Sequence, residues 1–400
     1  MHNVAAPVDN EHVSAGQRHS AGMRGRLTLL PGLRRLWRDG HTLQLGVDAA
    51  TGVLLEINHP ALARVLSLLD GTRTERGIVH EAGGFGIPSA PVTDLLASLR
   101  TAGLLLATDE LLPISMPETW QRRLRAESAA LALDGAQHSR RMRRLAKPAE
   151  ALRRRAASAV LISGPARIAA PLGSVLAAAG VGHIDTAVAG RADAADTAVG
   201  GIGHDDRGRP LRTAVADAVL RAAPHAVTTS LREGNATFVI QIGPSVPAET
   251  LAYGYARRQL PHLLIEERDN ALLVGPLVAP AGSPCLNCLD LHRRDRDPAW
   301  PALTAQLTTS ADEPMPIAIA TVTIAVGMAA GQVLAYVDGG PVATFGASFE
   351  INSGAPPRRR SWAPHPRCDC RGHRSRGRRR SGGSDSPDSG SYEPQRGAVQ

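Results

Sequence analysis

Aromatic residues and lysine are scarce in this sequence of 400 residues. Phe, Trp and Tyr make up 3% of the chain, and Lys147 is its only lysine. Ala, Leu, Val and Gly must therefore supply most of the packing, and lysine chemistry is restricted to one position. The length allows two domains, each with its own core.

An apolar segment typical of a secretory signal is missing from the polar stretch Met1–Ser20. The segment Ile317–Val337 has no charged residue and is long enough to span a membrane. Its many Ala, Gly and Thr residues favour a buried helix of an α/β core instead. We therefore expect a cytoplasmic protein with no membrane partner, in which cysteines are kept reduced.

The formal net charge of +8 first suggests a nucleic-acid partner. However, Arg358–Arg380 contains ten arginines and one aspartate, so this segment alone contributes 10 − 1 = +9 and the rest about −1. This distribution predicts a solvated basic tail, and no specific nucleic-acid binding. Residues 371–400 and 1–25 are expected to be disordered.

Residues 26–107 have the pattern of a compact domain of strands followed by helices. Apolar or alternating runs at 33–37, 42–47 and 53–57 are separated by turn residues and predict strands. Asn58 is positioned to cap a helix that Asp70-Gly71 ends. Further helices are predicted at 74–81 and 89–100, and a last strand at 104–106.

The order and spacing of Leu30-Pro31-Gly32, Glu56-Ile57-Asn58 and Leu69-Asp70-Gly71-Thr72 resemble the PqqD-like fold. Ala102-Gly103-Leu104-Leu105 completes the likeness. The resemblance implies an α+β winged-helix module that adds a leader peptide as a strand to a sheet edge. The edge would be formed by Val53, Leu55 and Ile57, and the groove wall by Val92, Leu95, Leu96 and Leu99. The alternative is a domain that only packs against its neighbour.

Residues 108–157 are predicted to form a helical connector, followed by an α/β domain over 158–370. This domain opens with the strand 159–162, the turn Ser163-Gly164-Pro165, a helix over 168–179 and a second strand near 184–188. Strand, glycine turn, helix and strand are typical of a doubly wound sheet. Further helices are predicted at 213–223 and 249–259, and strands at 237–242, 263–266 and 272–274.

The phrase Leu176-Ala177-Ala178-Ala179-Gly180-Val181-Gly182, with Val274–Val278 and Pro284–Leu289, resembles the ThiF/MoeB adenylating enzymes. The wider arrangement is similar to cyclodehydratase-type proteins of bacteriocin and azole-peptide pathways. This resemblance implies a ThiF-like α/β fold with a structural zinc site, a homodimer, and an ATP site.

The ATP site that the family would place at the first turn is degraded in this sequence. Gly164 is followed by Pro165, which lacks an N–H donor, and by Arg167 where the family has glycine. Asp185 comes too early to be the family's acidic residue, and Arg212 stands roughly where a catalytic lysine is expected. Gly164, Arg167 and Arg212 are therefore predicted to form a vestigial nucleotide site, and tight packing is the preferred role of Gly164.

The four cysteines occur as two close pairs, Cys285-x-x-Cys288 and Cys368-x-Cys370. Two thiolate pairs that converge on one tetrahedral ion are typical of structural zinc. The short second spacing leaves open that His365 or His373 replaces a ligand. The alternatives are a disulfide and reduced cysteines with no metal.

No chemical role is predicted for two other polar clusters. His204-Asp205-Asp206 is interpreted as a solvated loop. His292, Arg293 and Trp300 form either a contact surface or an ordinary polar loop. No Gly-x-Ser-x-Gly elbow supports a hydrolase.

Together the resemblances imply an accessory protein of azole-peptide biosynthesis. It would bind a precursor leader peptide and present it to a YcaO-type cyclodehydratase, with its own catalytic function lost. The alternative is an active ATP-dependent adenylyltransferase that uses Gly164, Arg167 and Arg212. A nucleic-acid binder acting through the arginine tail is a third hypothesis.

Overall fold

A computed structural model describes residues 25–48, 52–57, 61–139, 147–231, 233–243, 247–280, 284–309 and 316–371. The chain divides into two compact units between Ala149 and Glu150. Of the ends expected to be disordered, 1–25 and 371–400, the structure describes only Gly25 and Arg371. The predicted cap at Asn58 and the alternative ligand His373 also lie outside the described residues.

The first unit contains six strands and five helices among its described residues. The strands β1–β6 are Arg26–Leu29, Arg35–Trp37, Thr42–Leu45, Val53–Glu56, Asp70–Thr74 and Leu105–Ala107. The helices α1–α5 are Leu62–Leu68, Glu75–Gly83, Ser89–Thr101, Thr108–Leu111 and Glu118–Ser139.

Two small antiparallel sheets, β5-β1-β6 and β2-β3-β4, form the β-structure of the first unit. Its core consists of aliphatic side chains from both sheets and from α1 to α3, including Leu27, Leu66, Ile78 and Leu96. Thr74 caps α2 by accepting a hydrogen bond from the backbone N–H of Gly77 at 3.3 Å. The three predicted helices and the four predicted strands follow the expected order, whereas β1 and β5, which lies between α1 and α2, were not predicted.

The second unit contains the remaining elements. Its helices α6–α12 are Pro148–Ala157, which crosses the division, Ala166–Ala178, Leu211–Ala222, Ala248–Arg257, Leu286–Arg296, Trp300–Thr309 and Ile319–Asp338. The strands β7–β13 are Ala159–Ser163, His183–Ala187, Phe238–Ile242, His262–Arg268, Ala271–Val278, Ala347–Ile351 and Arg358–Ser361.

Seven strands of the second unit form one sheet in the order β13-β12-β11-β10-β9-β7-β8. The strands β8, β7, β9 and β10 are parallel, whereas β11, β12 and β13 continue the sheet as an antiparallel meander. β8 and β9 flank β7 on opposite sides, so the chain reverses its direction of winding at β7. The predicted doubly wound α/β fold is confirmed for this half of the sheet.

Helix α7 packs closely against β8 and α8, because its residue at this contact is a glycine. Gly173 of α7 has so little space that an added Cβ would lie 3.1 Å from Ile184 and 3.2 Å from Val219. α12 contributes Ala325, Ala329 and other residues to the main core. The helix is long and apolar enough to cross a membrane, but 39% of its most apolar window is buried in this unit. The scarcity of aromatic side chains is thus compensated by close helix–sheet approach.

Several local features differ from the sequence predictions. The helix before Asp70-Gly71 ends at Leu68, as predicted, but Asp70 then begins the unpredicted strand β5 and pairs with Thr28. The arginine-rich segment is not entirely a tail, because Arg358–Ser361 forms β13 and Arg360 pairs with Glu350. Of the two alternatives for the residues after the first cysteine pair, the polar loop does not apply to His292 and Arg293, which lie in helix α10. The predicted connector 108–157 is also shared between the two units.

Candidate metal centre and nucleotide region

The four cysteines come together from two separated segments. Cys285 lies at the start of α10 and Cys288 in its first turn, while Cys368 and Cys370 follow β13. Their Sγ atoms all lie within 4.8 Å of one another. The closest pairs are Cys288–Cys370 at 3.4 Å and Cys285–Cys368 at 3.5 Å.

These distances fit a common metal ion better than a disulfide. A disulfide requires about 2.05 Å between sulfurs. Four sulfurs around a tetrahedral zinc, with Zn–S bonds of about 2.3 Å, would lie about 3.8 Å apart. The donor set has no open position, so an ion bound here would tie the C-terminal segment to α10.

Burial disfavours charge on two of these thiols, Cys285 and Cys370, when no cation is nearby, whereas hydrogen bonds lower the pKa of Cys288 against the effect of burial. Desolvation and the neighbouring cysteines raise the pKa of Cys370 to about 12, and burial raises the pKa of Cys285 further. A divalent cation would reverse this effect, because thiolates become its ligands. Asn287 supports one of them by directing its Nδ2 at Cys368 Sγ, at 3.6 Å.

His365 takes a different role from the one left open by the sequence. The backbone N–H of Arg367 donates to its Nδ1 at 3.2 Å, and its Nε2 lies 2.8 Å from Asp295. The ring also makes an edge contact with His292, at 4.7 Å between centroids. Both ring nitrogens are therefore engaged, and His365 holds the C-terminal segment against α10 beside the four sulfurs.

Helix α10 continues from the cysteines to a buried ion pair. Arg293 donates to both carboxylate oxygens of Glu266 at the end of β10. Burial opposes ionisation of Glu266, but the hydrogen bonds from Arg293 hold its pKa below the usual value. Trp300 donates its indole N–H to Asp290 at 2.8 Å, and the Arg293 guanidinium lies 5.1 Å from its ring. Arg293 and Trp300 thus form an internal contact surface.

The predicted nucleotide residues separate into two places. Gly164 lies between β7 and α7, where its φ is +134° and an added Cβ would lie 2.5 Å from Ile242 Cβ. This contact joins the ends of β7 and β9 beside the point where ligands of doubly wound sheets commonly bind. Gly164 therefore serves strand packing, as the sequence suggested.

Arg167 lies in the first turn of α7, within electrostatic reach of Glu267. Burial raises the pKa of Glu267, and the charge of Arg167 offsets part of this effect. Pro165 occupies the N-cap position and provides no N–H donor. A carboxyl group near the helix start and a missing donor both oppose the binding of phosphate here.

Arg212 lies apart from Gly164, because it pairs with the buried carboxylate of Asp185. Asp185 stands opposite Leu161 in the β7–β8 register, three residues before Gly164, or about 10 Å along the strand. Asp185 also accepts the backbone N–H of Leu231 at 2.7 Å. The cavity beside the pair has a volume of about 10 Å³, which is room for about one water.

The cluster at His204-Asp205-Asp206 differs from the predicted solvated loop. Asp206 is 5% exposed and accepts the backbone N–H of Gly203 at 3.0 Å. It also pairs with Arg209 and Arg221. These partners, with hydrogen bonding as the main cause, hold the pKa of Asp206 below its usual value. The contacts of Asp206 therefore hold the loop in place, and the three side chains do not converge on a common metal site.

The predicted peptide-binding residues are mostly core residues. Val92, Leu96 and Leu99 are fully buried in the first unit, and Ile57 is 1% exposed. Leu55 is 8% exposed, whereas Val53 and Leu95 are half-buried. The sequence pattern missed Leu54, which is 52% exposed on β4, because alternation identifies the buried side of a strand first. A peptide at this edge would meet the β4 backbone and Leu54.

No protein-family model matches the chain, and no curated protein does. Among solved structures, E. coli MccB bound to succinimide shares 13% identity with a TM-score of 0.60, covering 87% of this chain and 99% of that chain. The chain has the MccB fold. MccB with ATP gives 12% identity, a TM-score of 0.59, and coverage of 86% and 99%. These likenesses confirm the fold that the ThiF/MoeB resemblance predicted.

Two further structures describe the chemistry of such neighbours. MccB, described as a microcin C7 biosynthetic enzyme, is also solved with N-formylated MccA, at 11% identity, a TM-score of 0.59 and coverage of 86% and 99%. A heterocyclase in complex with substrate and cofactor shares 14% identity at a TM-score of 0.55, covering 86% of this chain and 39% of that chain.

Proposed function

We propose that this chain is an accessory protein in the biosynthesis of ribosomally made azole-containing peptides. Its first unit would bind the leader of a precursor peptide. Its second unit would dock a YcaO-type cyclodehydratase, with zinc in the four-cysteine site. The proposal includes a cytoplasmic homodimer. Support comes from the fold shared with MccB and with a heterocyclase.

Among the described residues β4 pairs only with β3, and this open edge carries the proposal. Arg38 N–H donates to Thr42 O at 2.9 Å, and Gly46 N–H donates to Arg34 O at 2.8 Å. Even-numbered residues of β3 therefore bond toward β2, and its odd-numbered residues bond toward β4. Since Leu43 pairs with Leu55, the backbone groups of Leu54 and Glu56 point away from the sheet. An extended peptide can pair with them as an added strand.

The nucleotide region supports a binding role more than an adenylating one. Ile242 fills the space at Gly164, Glu267 lies near Arg167, and Asp185 engages Arg212. The only lysine, Lys147, pairs with Glu110 at 2.7 Å in the first unit. The three carboxylates reduce the positive field that an ATP phosphate group needs for binding and reaction, and Ile242 reduces the space at the turn.

A proline substitution at Leu54 tests the peptide site. Leu54→Pro removes an outward-facing N–H and leaves the ladder to β3 intact, which proline tolerates at edge strands. The matched control Leu54→Ala keeps the N–H and truncates the same side chain. We expect candidate leader peptides to bind Leu54→Pro at least tenfold more weakly than Leu54→Ala, as measured by fluorescence anisotropy. Equal affinities would exclude β4 as the docking edge.

The second candidate is an ATP-dependent adenylyltransferase, because MccB has been solved with ATP on the same fold. Calorimetry with Mg-ATP, beside zinc quantification on the same sample, separates the two functions. The accessory role predicts no ATP binding at micromolar concentrations and no pyrophosphate exchange. Micromolar binding that Arg167→Ala abolishes, together with exchange, would establish the adenylating function instead.

A further inference from the structure

The strand β2 forms the opposite edge of the same small sheet. Its only sheet partner among the described residues is β3. Every residue from Arg34 to Arg38 is exposed, including Leu36 at 42% and Trp37 at 51%. Large apolar side chains on an open strand edge favour pairing with another chain.

The backbone of β2 is available at two positions. Arg34 and Arg38 bond to β3 through the contacts at 2.8 and 2.9 Å given above. By the alternation of an antiparallel ladder, the N–H and C=O groups of Arg35 and Trp37 point outward. A partner strand can therefore form main-chain hydrogen bonds at both residues.

The side chains of β2 define two faces for such a partner. Trp37 and Arg35 stand opposite the buried Leu43 and Leu45, so they lie on the face directed at the core. Arg34, Leu36 and Arg38 share the outer face, because side chains alternate along a strand. The outer face thus presents an apolar position between two guanidinium groups.

Charged side chains on an edge strand ordinarily prevent two sheets from pairing. This role would explain the arginines of β2 if they were its only exposed side chains. It does not explain why Leu36 and Trp37 are exposed between them. Tryptophan and arginine are the residue types that carry most binding energy at protein interfaces. The next acidic residue along the chain is Asp39. Its carboxylate accepts hydrogen bonds from the backbone N–H groups of His41 and Thr42, at 2.8 and 2.6 Å.

The positive charge of the β2 edge determines which kind of partner strand can pair with it. A second copy that paired through β2 would bring two sets of three arginines together, and like charges across strands are unfavourable. The edge at β4 differs, since it exposes Glu56 beside Leu54. An acidic strand is therefore attracted to β2 and disfavoured at β4.

We propose that β2 binds an extended acidic segment of a partner protein as an added strand. The segment carries an acidic, an apolar and an acidic residue at alternate positions, opposite Arg34, Leu36 and Arg38. Its backbone pairs with Arg35 and Trp37. This surface is separate from the β4 edge, so its existence does not depend on leader binding there.

Fluorine NMR of the full chain labelled with 5-fluorotryptophan tests the proposal. The chain has four tryptophans, and Trp37→Phe assigns the signal of Trp37. The probe is a capped peptide with the core Asp-Thr-Leu-Thr-Asp, and the matched controls are Lys-Thr-Leu-Thr-Lys and Asp-Thr-Ser-Thr-Asp. We expect a saturable shift of the Trp37 signal with the first peptide, at least tenfold weaker binding of the serine peptide, and no binding of the lysine peptide.

The exposed pair Arg34→Glu/Arg38→Glu should weaken binding of the acidic peptide at least tenfold and admit the lysine peptide. Raising the salt concentration should weaken the wild-type interaction, because exposed charges are screened. Equal shifts with all three peptides, or none with the acidic peptide, would overturn the proposal. Tighter binding of a thymidine 12-mer than of the acidic peptide would assign the surface to nucleic acid and overturn it as well.

Discussion

Gly164 and Ile242 bring the ends of β7 and β9 so close that an added Cβ at Gly164 would lie 2.5 Å from Ile242 Cβ. The φ of +134° at Gly164 lies in a region that is essentially restricted to glycine. Gly164→Ala should therefore lower the free energy of unfolding by about 3 kcal/mol or more, from backbone strain and overpacking together.

The matched control for Gly164→Ala is Gly190→Ala. Gly190 has a φ of +91°, but an added Cβ would meet nothing within 4 Å. This control isolates the cost of a positive φ, about 1–2 kcal/mol. Urea unfolding of both variants is the measurement. If they are equally stable, the close approach of β7 and β9 does not exist in solution.

Arg155 neutralises the carboxylate at the end of α12. Its guanidinium is 3% exposed and donates to both oxygens of Asp338, at 3.0 and 2.7 Å, and to Ala179 O at 2.9 Å. Arg155→Met leaves this carboxylate without its buried partner, near the negative end of a helix dipole. We expect a loss of about 3–5 kcal/mol in the free energy of unfolding.

The control is Arg153→Ala, which truncates an exposed arginine of the same helix and should change stability by about 0.5 kcal/mol or less. The double variant Arg155→Met/Asp338→Leu should recover part of the loss, because no buried charge is left unpaired. Thermal and urea unfolding can compare the four proteins. If Arg155→Met is as stable as the wild type, the buried ion pair between Arg155 and Asp338 does not exist in solution.

Local patterns in the sequence predicted the parallel half of the sheet well. Apolar runs at β7 and β9, with the glycine turn at Gly164, are short-range signals. The cysteine spacings likewise predicted the cluster of four sulfurs, since Cys285-x-x-Cys288 and Cys368-x-Cys370 each place two sulfurs side by side. In these regions the pattern of neighbouring residues was sufficient to predict the local structure.

Long-range pairing explains what the sequence did not predict. Asp70 joins β5 because Thr28, 42 positions earlier, is its partner. The arginines of β13 join the sheet because β12 pairs with them and Glu350 neutralises Arg360. Asp206 is buried because Arg221, 15 positions later, pairs with it beside the near neighbour Arg209. Apart from Arg209, these partners lie outside a window of neighbouring residues.

The metal site can be tested by comparing Cys370 with His365. We expect about one zinc per purified wild-type chain, and a loss of most zinc in Cys370→Ser, because a ligand is removed. His365→Asn should retain the zinc, since His365 contacts Asp295 and Arg367 instead of joining the sulfurs. Elemental analysis after gel filtration gives the stoichiometry. Zinc loss in His365→Asn equal to that in Cys370→Ser would make the histidine a ligand.

Chelation should affect the second unit beyond the site itself. Removal of zinc leaves the buried thiols of α10 and of the C-terminal segment without the cation that joins them. We expect a lower thermal midpoint and faster hydrogen exchange in α10 and at Trp300, which α10 holds through Asp290. Exchange in α3 of the first unit serves as the internal reference. Unchanged exchange in α10 after zinc removal would show that the ion does not hold this helix.

His262 should make stability depend on pH in the acidic range. The ring is 3% exposed, and desolvation lowers its pKa to about 4, although its bond to Leu260 O acts in the opposite direction. In the unfolded chain the pKa of histidine is about 6.5. The folded state therefore stays neutral where the unfolded state binds a proton, so stability is complete above about pH 6.5 and falls as the pH decreases toward 4.

The pKa of His262 is about 2.5 lower in the folded protein than in the unfolded chain. This corresponds to a loss of about 3 kcal/mol in the free energy of unfolding near pH 4. The variant His262→Asn keeps a donor for Leu260 O and removes the titrating ring. The difference in unfolding free energy between wild type and His262→Asn should therefore shrink between pH 7 and pH 4. Measuring the difference at each pH removes contributions that both proteins share, such as protonation of the cysteines. A difference that does not change with pH would show that His262 binds its proton as readily in the folded protein as in the unfolded chain, and that its burial is incomplete in solution.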